Sequence, residues 1–301
     1  MGEALACKDA IYAFSKENKP VKSVASGSTI KIETYDCFQN QIRSNDTEIN
    51  SINWDKINPA TGPIYVETAQ PGDILSVKIE KMELKNEGVM ATGPDLGVMG
   101  HRLEKFEAKM IPIRDGKAIF NERLQIPLNP MIGVIGVAPA GEPVSCGTPG
   151  EHGGNMDTKL ITEGATLYFP VFAEGALFAL GDLHAAMGDG EVGVSGIEIA
   201  GEVTVTLTVI KGQSLKHPVL ISEEGVATIV SAATLDEAAK TSVEEMIDLL
   251  LPKTDLPLSQ LTMLMSAVGQ TQISQIVDPL VTARFFVPKY VLDAYDIKLF
   301  D

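Results

Sequence analysis

Hydrophobic and polar residues alternate in short stretches from about residue 21 to residue 222, and glycine or proline separates these stretches. In residues 202–212, valine and leucine side chains point one way and threonine side chains point the other. Residues 27–36 and 71–84 follow the same pattern. A period of two is typical of half-buried β-strands. This part of the chain is therefore predicted to consist of many short strands.

Helical spacing dominates only toward the end of the chain. Residues 234–251 place hydrophobic side chains three and four positions apart, and Thr234 with Glu237 fits a capping box at the start. A second helix is predicted from residue 258 to 268, and a weaker pattern predicts a third over residues 272–280. We therefore predict a mainly β fold of the α+β type, in which C-terminal helices are added to a β-sandwich or barrel-like body.

This change of pattern divides the chain into two parts. Residues 1–222 are predicted to form a β-rich body that carries most of the candidate site residues, and residues 223–301 a helical part packed on it as one integrated unit. The chain has no glycine-rich loop between a strand and a helix and no regular βαβ alternation. A dinucleotide-binding fold is therefore not expected.

The charge of the chain limits its partners. Its 301 residues include 40 acidic and 24 basic side chains, which gives a net charge of −16 at pH 7. Nucleic acids and anionic membranes both require a cationic surface, so neither is expected as a partner. No apolar run has the length of a membrane-spanning helix, and the first residues lack the pattern of a signal peptide.

The three cysteines, Cys7, Cys37 and Cys146, are odd in number and far apart in the sequence. A disulfide framework is therefore not expected, and a reducing cytoplasm is the simplest location. Cys37 could act as a nucleophile, but no base lies near it in the sequence. A buried structural role is favoured for this thiol.

Candidate chemistry is concentrated in residues 136–201, where glycine is frequent and ionisable residues are many. Asp182 and His184 are two positions apart at the end of a predicted strand, so both project from the same face. A carboxylate beside an imidazole suits a divalent cation, zinc in particular, although such a pair also caps ordinary strand ends. The turn at residues 188–191, which contains Glu191, can return further carboxylates to the same place.

A second candidate segment is the loop at residues 150–157, in which two glycines permit close approach of the backbone. Asn155 and Asp157 in this loop could hold a metal ion or the amide of a substrate. The alternative is an Asx turn with a solvated histidine. Asp36 is a further candidate ligand, because it stands where an alternating strand enters a polar loop.

These segments resemble the acetamidase/formamidase family of amide hydrolases. The resemblance rests on residues 133–140, 150–157 and 168–198, and it extends over nearly the full chain. It implies a β-rich fold, hydrolysis of short linear amides to a carboxylate and ammonia, and usually an oligomer. Some relatives resemble binuclear metal hydrolases. The site positions that this resemblance implies are Asp36, Asn155, Asp157, Asp182, His184 and Glu191.

The resulting hypothesis is a cytoplasmic, homo-oligomeric amidase, a dimer or larger, that uses a metal-activated water. The expected cofactor is a divalent metal, zinc or zinc together with calcium, and the expected partner is a small amide substrate. Glu142 is predicted to be the general base, with Glu191 as the competing candidate, and Asn155 to orient the amide. The predicted metal ligands are Asp36, Asp157, Asp182 and His184.

Two alternatives stay open at this point. One is a thiol-dependent amidase that uses Cys37 or Cys146 as the nucleophile. The other is a non-catalytic β-sandwich binding module in which the same acidic residues hold a structural calcium ion. The sequence does not identify the physiological amide, the metal, the general base or the exact oligomeric state.

Overall fold

A computed structural model describes residues 4–300 of the chain, and β-strands account for most of its regular structure. The first ten strands are β1 Ala10–Ile11, β2 Ala13–Phe14, β3 Lys22–Val24, β4 Ser28–Thr34, β5 Ala60–Val66, β6 Ile74–Leu84, β7 Glu87–Thr92, β8 Glu107–Arg114, β9 Lys117–Ile119 and β10 Gln125–Pro127. The next eleven are β11 Met131–Gly136, β12 Val144–Ser145, β13 Gly153–Asn155, β14 Thr166–Pro170, β15 Phe178–His184, β16 Glu198–Ile199, β17 Gly201–Ile210, β18 Val219–Ile221, β19 Gly225–Ala232, β20 Gln270–Gln275 and β21 Val281–Pro288. The α-helices are α1 Leu235–Leu250, α2 Leu258–Val268 and α3 Lys289–Ala294, and short 3-10 helices lie at Ile49–Ser51, Trp54–Lys56, Gly100–Arg102 and Leu251–Lys253.

Two large sheets form the body of the molecule. The first has eleven strands with the central order β1-β5-β15-β16-β7-β8-β9-β10, and β11 and β13 continue it from the side of β15. The second has eight strands in the order β20-β21-β19-β18-β14-β6-β17-β4. Nearly all neighbours in both sheets are antiparallel; β3 pairs in parallel with β5.

The main hydrophobic core lies between these two sheets. Ile32 and Val205 from the eight-stranded sheet and Ile135 and Leu180 from the eleven-stranded sheet belong to one buried cluster. Packing of two sheets face to face through a shared apolar layer is the arrangement of a β-sandwich. The predicted mainly β fold with C-terminal helices is therefore confirmed.

The C-terminal helices cover the outer face of the eight-stranded sheet. Met246 of α1 and Leu261 of α2 pack with Phe285 and Val287 of β21 in a second buried cluster. Thr234 begins α1 as predicted, since its side chain accepts the N–H of Glu237. Among the described residues, no helix has both the length and the apolar character needed to cross a membrane.

The third predicted helix, over residues 272–280, is wrong. Residues Gln270–Gln275 form strand β20, which pairs with β21. A short stretch with mixed polarity does not distinguish the two structures by itself, and here pairing with a neighbouring buried strand decides. Strands β19, β20 and β21 also place much of residues 223–301 in the eight-stranded sheet, so this part is not helical alone.

Candidate active site

Strand β15 brings two ionisable residues into the interior of the eleven-stranded sheet. Asp182 and His184 are 2% and 1% exposed, and His184 stands opposite Glu198 of β16. His184 Nε2 lies 3.4 Å from Asp182 Oδ1, so the two residues share one side of the strand as their spacing predicts. Two adjoining strands thus supply an imidazole and two carboxylates.

Four carboxylates surround a single nitrogen atom of the histidine. His184 Nε2 lies 3.2 Å from Glu198 Oε2, 3.7 Å from Asp157 Oδ1 and 4.0 Å from Glu191 Oε1, in addition to Asp182. The nearest oxygens of Asp157, Asp182 and Glu198 have no hydrogen-bond partner within the described residues, although they are buried. Unpartnered buried oxygens are costly, so this cluster requires protons or a cation for compensation.

The spacing of these atoms fits a divalent cation. Ligand atoms that bind zinc tetrahedrally at about 2.0–2.2 Å are themselves about 3.3–3.6 Å apart. The distances of 3.2, 3.4 and 3.7 Å from His184 Nε2 to its three nearest carboxylates lie close to that range. The donor atoms divide into two compact groups, which are Asp157, His184 and Glu191 on one side and Cys37, Asp182 and Glu198 on the other. Two such groups suit one or two metal ions.

Glu191 reaches the cluster from the loop between β15 and β16. Its Oε1 accepts the backbone N–H of Gly196 at 3.0 Å, which holds the carboxylate in place. Asn155, at the end of β13, donates from Nδ2 to Asp278 Oδ2 at 2.9 Å, whereas its Oδ1 has no partner in the described structure. Asp278 comes from the loop between β20 and β21, so both sheets contribute to the site.

Burial and mutual repulsion raise the pKa values of most acids in the cluster. Desolvation raises the pKa of Asp157 to about 7 and that of Glu198 to about 8, and the neighbouring Asp182 charge acts in the same direction. The pKa values of Glu191 and Asp278 are raised well above the ordinary range, first by burial and then by the charge of Asp157. Without a cation the cluster therefore retains protons near neutral pH.

Asp182 and His184 behave differently because they face each other. Burial alone would raise the pKa of Asp182, but attraction to His184 holds it below the ordinary value. Burial alone would lower the pKa of His184, but the carboxylates of Glu198 and Asp182 raise it well above the ordinary value. Asp182 is therefore the acid most ready to be ionised.

A cavity of about 360 Å³ opens onto this cluster. Asn155, Asp182, Glu191, Glu198 and Asp278 lie on its polar side. Its apolar walls are formed by Phe38, Trp54, Ile57, Leu96, Phe106, Val194, Val277 and Pro279. An apolar pocket with a few convergent polar groups is the usual form of a small-molecule site.

The structure brings most of the predicted site residues together. Asp157, Asp182, His184 and Glu191 lie in the cluster, and Asn155 lines the same cavity. Asp36 is buried nearby, where the charge of Asp182 affects it, but it does not line the cavity. Its Oδ1 accepts the N–H of Asn40 at 2.7 Å, and burial raises its pKa to about 6.

Glu142 is located elsewhere. It is exposed in the loop between β11 and β12 and does not line the cavity. The reason is that residues 141–143 form a surface turn before the chain returns to the loop that carries Asn155. Closeness in sequence to that loop therefore does not bring Glu142 to the cluster, whereas Glu191 lies in it.

The two cysteines considered as nucleophiles also differ in position. Cys37 lines the cavity beside Glu198 and Asp182, and burial followed by these negative charges raises its pKa well above the ordinary value. Cys146 is buried against Phe14, and its thiol donates to the carbonyl of Ile11 at 3.6 Å. Neither environment stabilises the thiolate that nucleophilic attack requires.

Glu198 and Asp278 are absent from the predicted site. Glu198 lies among the many ionisable side chains of residues 136–201. Its place beside His184 depends on pairing of β16 with β15, which the sequence does not reveal. Asp278 falls in the stretch predicted to be helical. An acid directly before Pro279 is the one sequence signal of a loop at this point.

The protein is a β-sandwich that holds a buried carboxylate–histidine cluster at a cavity with apolar walls. The chain belongs to the Acetamidase/Formamidase family, whose sequence profile matches residues 13–145 and 142–294. The family predicted from the sequence is thus confirmed.

Solved structures support the same assignment over the whole chain. A predicted acetamidase/formamidase from Thermoanaerobacter tengcongensis is 55% identical, with a TM-score of 0.96 and coverage of 98% of both chains. The acetamidase from Bacillus halodurans is 44% identical, with a TM-score of 0.96 and coverage of 98% of this chain and 100% of the other. The names of these proteins describe amide-hydrolysing enzymes, which is the class predicted from the sequence.

A curated relative from Schizosaccharomyces pombe is more distant. It carries a provisional formamidase name and is 27% identical over 257 residues, which are 63% of this chain and 61% of the relative. The present chain thus spans less than two thirds of that relative's length.

Proposed function

We propose that the protein hydrolyses the C–N bond of short linear amides, such as formamide or acetamide, to the carboxylate and ammonia. Family membership supports this class of reaction. The observation that carries the proposal is the convergence of four carboxylates on His184 Nε2 at the end of an apolar cavity, with unpartnered oxygens. The cavity is large enough for a small amide and a water molecule.

The proposed cofactor is a divalent metal ion, zinc or zinc together with calcium. His184, Asp157, Asp182 and Glu198 would hold it, because their facing atoms have the separations of ligands and the facing carboxylate oxygens have no hydrogen-bond partner among the described residues. When bound there, such an ion supplies Lewis-acid polarisation of the amide carbonyl and lowers the pKa of water. Asp36 stays a predicted ligand whose carboxylate would have to turn from Asn40.

Asn155 is proposed to orient the substrate. Its Oδ1 is buried, has no partner among the described residues and belongs to a residue that lines the cavity, so it can accept an N–H of the amide. Asp278 fixes the opposite end of the side chain by accepting from Nδ2.

Glu191 is proposed to move the proton. As the water oxygen bonds to the carbonyl carbon, a Glu191 carboxylate oxygen takes one proton from the water. When the C–N bond breaks, the same oxygen returns this proton to the nitrogen, which leaves as ammonia. The hydrogen bond from Gly196 to Oε1 anchors the carboxylate for both transfers.

The test combines metal analysis with ammonia release. Purified protein is expected to contain divalent metal and to release ammonia from formamide, acetamide or propionamide, and chelation should abolish this activity until metal is restored. Full activity in metal-free protein would overturn the metal mechanism but not the proposed amidase activity. No ammonia from any of the three in folded, metal-loaded protein would overturn the proposed function and favour the binding module.

The thiol alternative needs its own variants. Cys37→Ala and Cys146→Ala are expected to retain ammonia release, because neither thiol is activated. Loss of activity in Cys37→Ala with unchanged metal content would support the thiol mechanism instead.

We also propose a cytoplasmic homo-oligomer, a dimer or larger. Cys7, Cys37 and Cys146 are all unpaired, which suits a reducing compartment. Several large hydrophobic residues are more than half exposed to solvent, among them Met263, Tyr290 and Val192. Contact between copies of the chain would cover such residues. Cell fractionation and light scattering test the two parts of this proposal.

A further inference from the structure

Arg284 of β21 is a buried cation close behind the site. It is 1% exposed and does not line the cavity. Its Nη2 donates to both oxygens of Asp189, at 2.8 and 3.0 Å, and its Nε donates to Gln272 Oε1 at 2.8 Å. Its Nη1 donates to the Ile273 carbonyl at 2.7 Å and to Ser274 Oγ at 3.0 Å. A guanidinium held by five hydrogen bonds fixes the groups around it rigidly.

One of these partners belongs to the turn that carries Glu191. Asp189 begins this turn, and Gly190 follows with its N–H donating to the Ser274 carbonyl at 2.8 Å. The Gly190 carbonyl accepts the N–H of Ile276 at 3.2 Å. The turn is therefore attached to the end of β20 by two backbone hydrogen bonds and to β21 by the Asp189–Arg284 pair.

The same strand end also holds the other two acidic loops. Ser274 Oγ, which accepts from Arg284, accepts from Thr158 Oγ1 at 2.8 Å, and Thr158 directly follows Asp157. Gln275 Oε1 accepts the N–H of Asp278 at 3.0 Å. Three acids of the site thus depend on the segment that Arg284 stabilises.

We infer that Arg284 is a positioning residue for amide hydrolysis. Its contacts to Asp189 and Ser274 hold the loops that carry Glu191 and Asp157, and thereby keep both carboxylates beside His184. This inference rests on the proposed function. Arg284 links the eight-stranded sheet to two loops of the eleven-stranded sheet, so its loss allows those loops to move apart. A displacement of about 1 Å at a reacting group can cost about a hundredfold in rate.

Lys159 provides a matched control. It also pairs with Asp189, at 2.9 Å from Oδ2, but its side chain is 35% exposed. It is a point charge on a flexible stem, whereas the arginine fork is fixed. Removal of Lys159 leaves the contacts of Arg284 to Asp189 and Ser274 in place.

The experiment compares Arg284→Lys and Asp189→Asn with Lys159→Met in the full-length, metal-loaded protein. Hydrogen exchange of the peptide that contains Gly190 and Glu191 reports on the turn without requiring activity. We expect this exchange to be at least about tenfold faster in the first two variants and unchanged in the third. We expect kcat for ammonia release to fall about tenfold to a hundredfold in the first two, with KM within about threefold of the original protein.

The outcomes separate this inference from the proposed function. Unchanged exchange of the turn in folded Arg284→Lys and Asp189→Asn overturns the inference, as does faster exchange with unchanged kcat. A loss of thermal stability with kcat retained shows a purely structural role and also overturns it. An original protein that releases no ammonia overturns the proposed function, and the exchange result then decides separately whether Arg284 holds the turn. If Arg284→Lys does not fold, Asp189→Asn alone gives the same readings.

Discussion

At the scale of single residues, the site depends on two positions where no side chain fits. A Cβ at Gly133 of β11 would lie 2.5 Å from Asp157 Oδ1 and 2.5 Å from Asp182 Oδ2. A Cβ at Gly196 would lie 2.6 Å from His184 Nδ1. These distances are far below ordinary van der Waals contact, so glycine permits the close approach of the acids and the imidazole.

Gly133→Ala is therefore expected to disturb the cluster directly. The added methyl group must displace Asp157 or Asp182, which should reduce metal content and lower kcat by about tenfold or more. Metal analysis and ammonia release measure these effects. Gly141→Ala is the control, because nothing lies within 4 Å of the corresponding position. Equal activity of the two variants would contradict the proposed cluster.

Glu191 and Glu142 can be distinguished by the same substitution. Glu191→Gln keeps the shape but removes the proton acceptor, so kcat should fall by about a hundredfold or more. Glu142→Gln, at an exposed position outside the cavity, should leave kcat within about twofold. Steady-state ammonia release gives both values. The opposite result would assign the general base to Glu142.

At the scale of elements, three acids of the cluster lie where the backbone is strained. Asp157, Asp182 and Glu191 have φ values of 40°, 55° and 47°, in the left-handed region that non-glycine residues seldom adopt. Such conformations cost free energy and are typical of functional sites. The loop after β13, strand β15 and the loop before β16 thus direct three carboxylates to one point.

Helix α1 lies on the opposite face of its sheet from the main core, so its cap should affect stability and not catalysis. Thr234→Ala removes the acceptor for the Glu237 N–H and should lower the free energy of unfolding by about 1 kcal/mol. Urea denaturation measures this change. Thr234→Ser, which keeps the hydroxyl, should retain most of the stability. A loss of kcat in folded Thr234→Ala would contradict this separation of roles.

At the scale of the whole molecule, the site joins the two sheets. Asp278 comes from the loop between β20 and β21, whereas Asp182, His184 and Glu198 come from the eleven-stranded sheet. The shared core brings both sets of residues together. The ionisation of this buried cluster should therefore influence the stability of the entire fold.

Chelator-treated protein is expected to lose stability as pH rises. Desolvation raises the pKa of Asp157 to about 7 and that of Glu198 to about 8 in the folded state, so these groups bind protons that the unfolded chain has released. The free energy of unfolding then falls between about pH 4 and pH 8, by an amount on the order of a few kcal/mol. His184, whose folded pKa is also raised, contributes with the same sign.

Metal binding should add more to the free energy of unfolding at higher pH. Binding requires deprotonated ligands, so the stabilisation that metal adds should grow with pH. Urea midpoints at about pH 5, 6.5 and 8, with and without chelator, measure both trends. A midpoint of the chelated protein that rises over this range would contradict the protonated state of the buried cluster.

The sequence was sufficient where local periodicity carried the information. Alternation identified β4, β6 and β17, and helical spacing with a threonine cap identified α1. Asp182 and His184 were recognisable because residues two apart on a strand share a face. The helix predicted over residues 272–280 was wrong, because their short pattern suits a helix or a strand equally, and pairing of β20 with β21 decides for the strand.

Tertiary structure decided which acids belong to the site. Glu198 joins His184 only through the pairing of β16 with β15, and Asp278 reaches Asn155 from 123 residues away. Glu142 lies close in sequence to the Asn155 loop and yet stays on the surface. Local sequence determined strands β4, β6 and β17, helix α1 and the kinds of ionisable side chain available, since those follow from residues within a few positions. Which carboxylates are buried in one cluster depends on contacts between segments that are distant in sequence. Only the packing of the two sheets establishes those contacts.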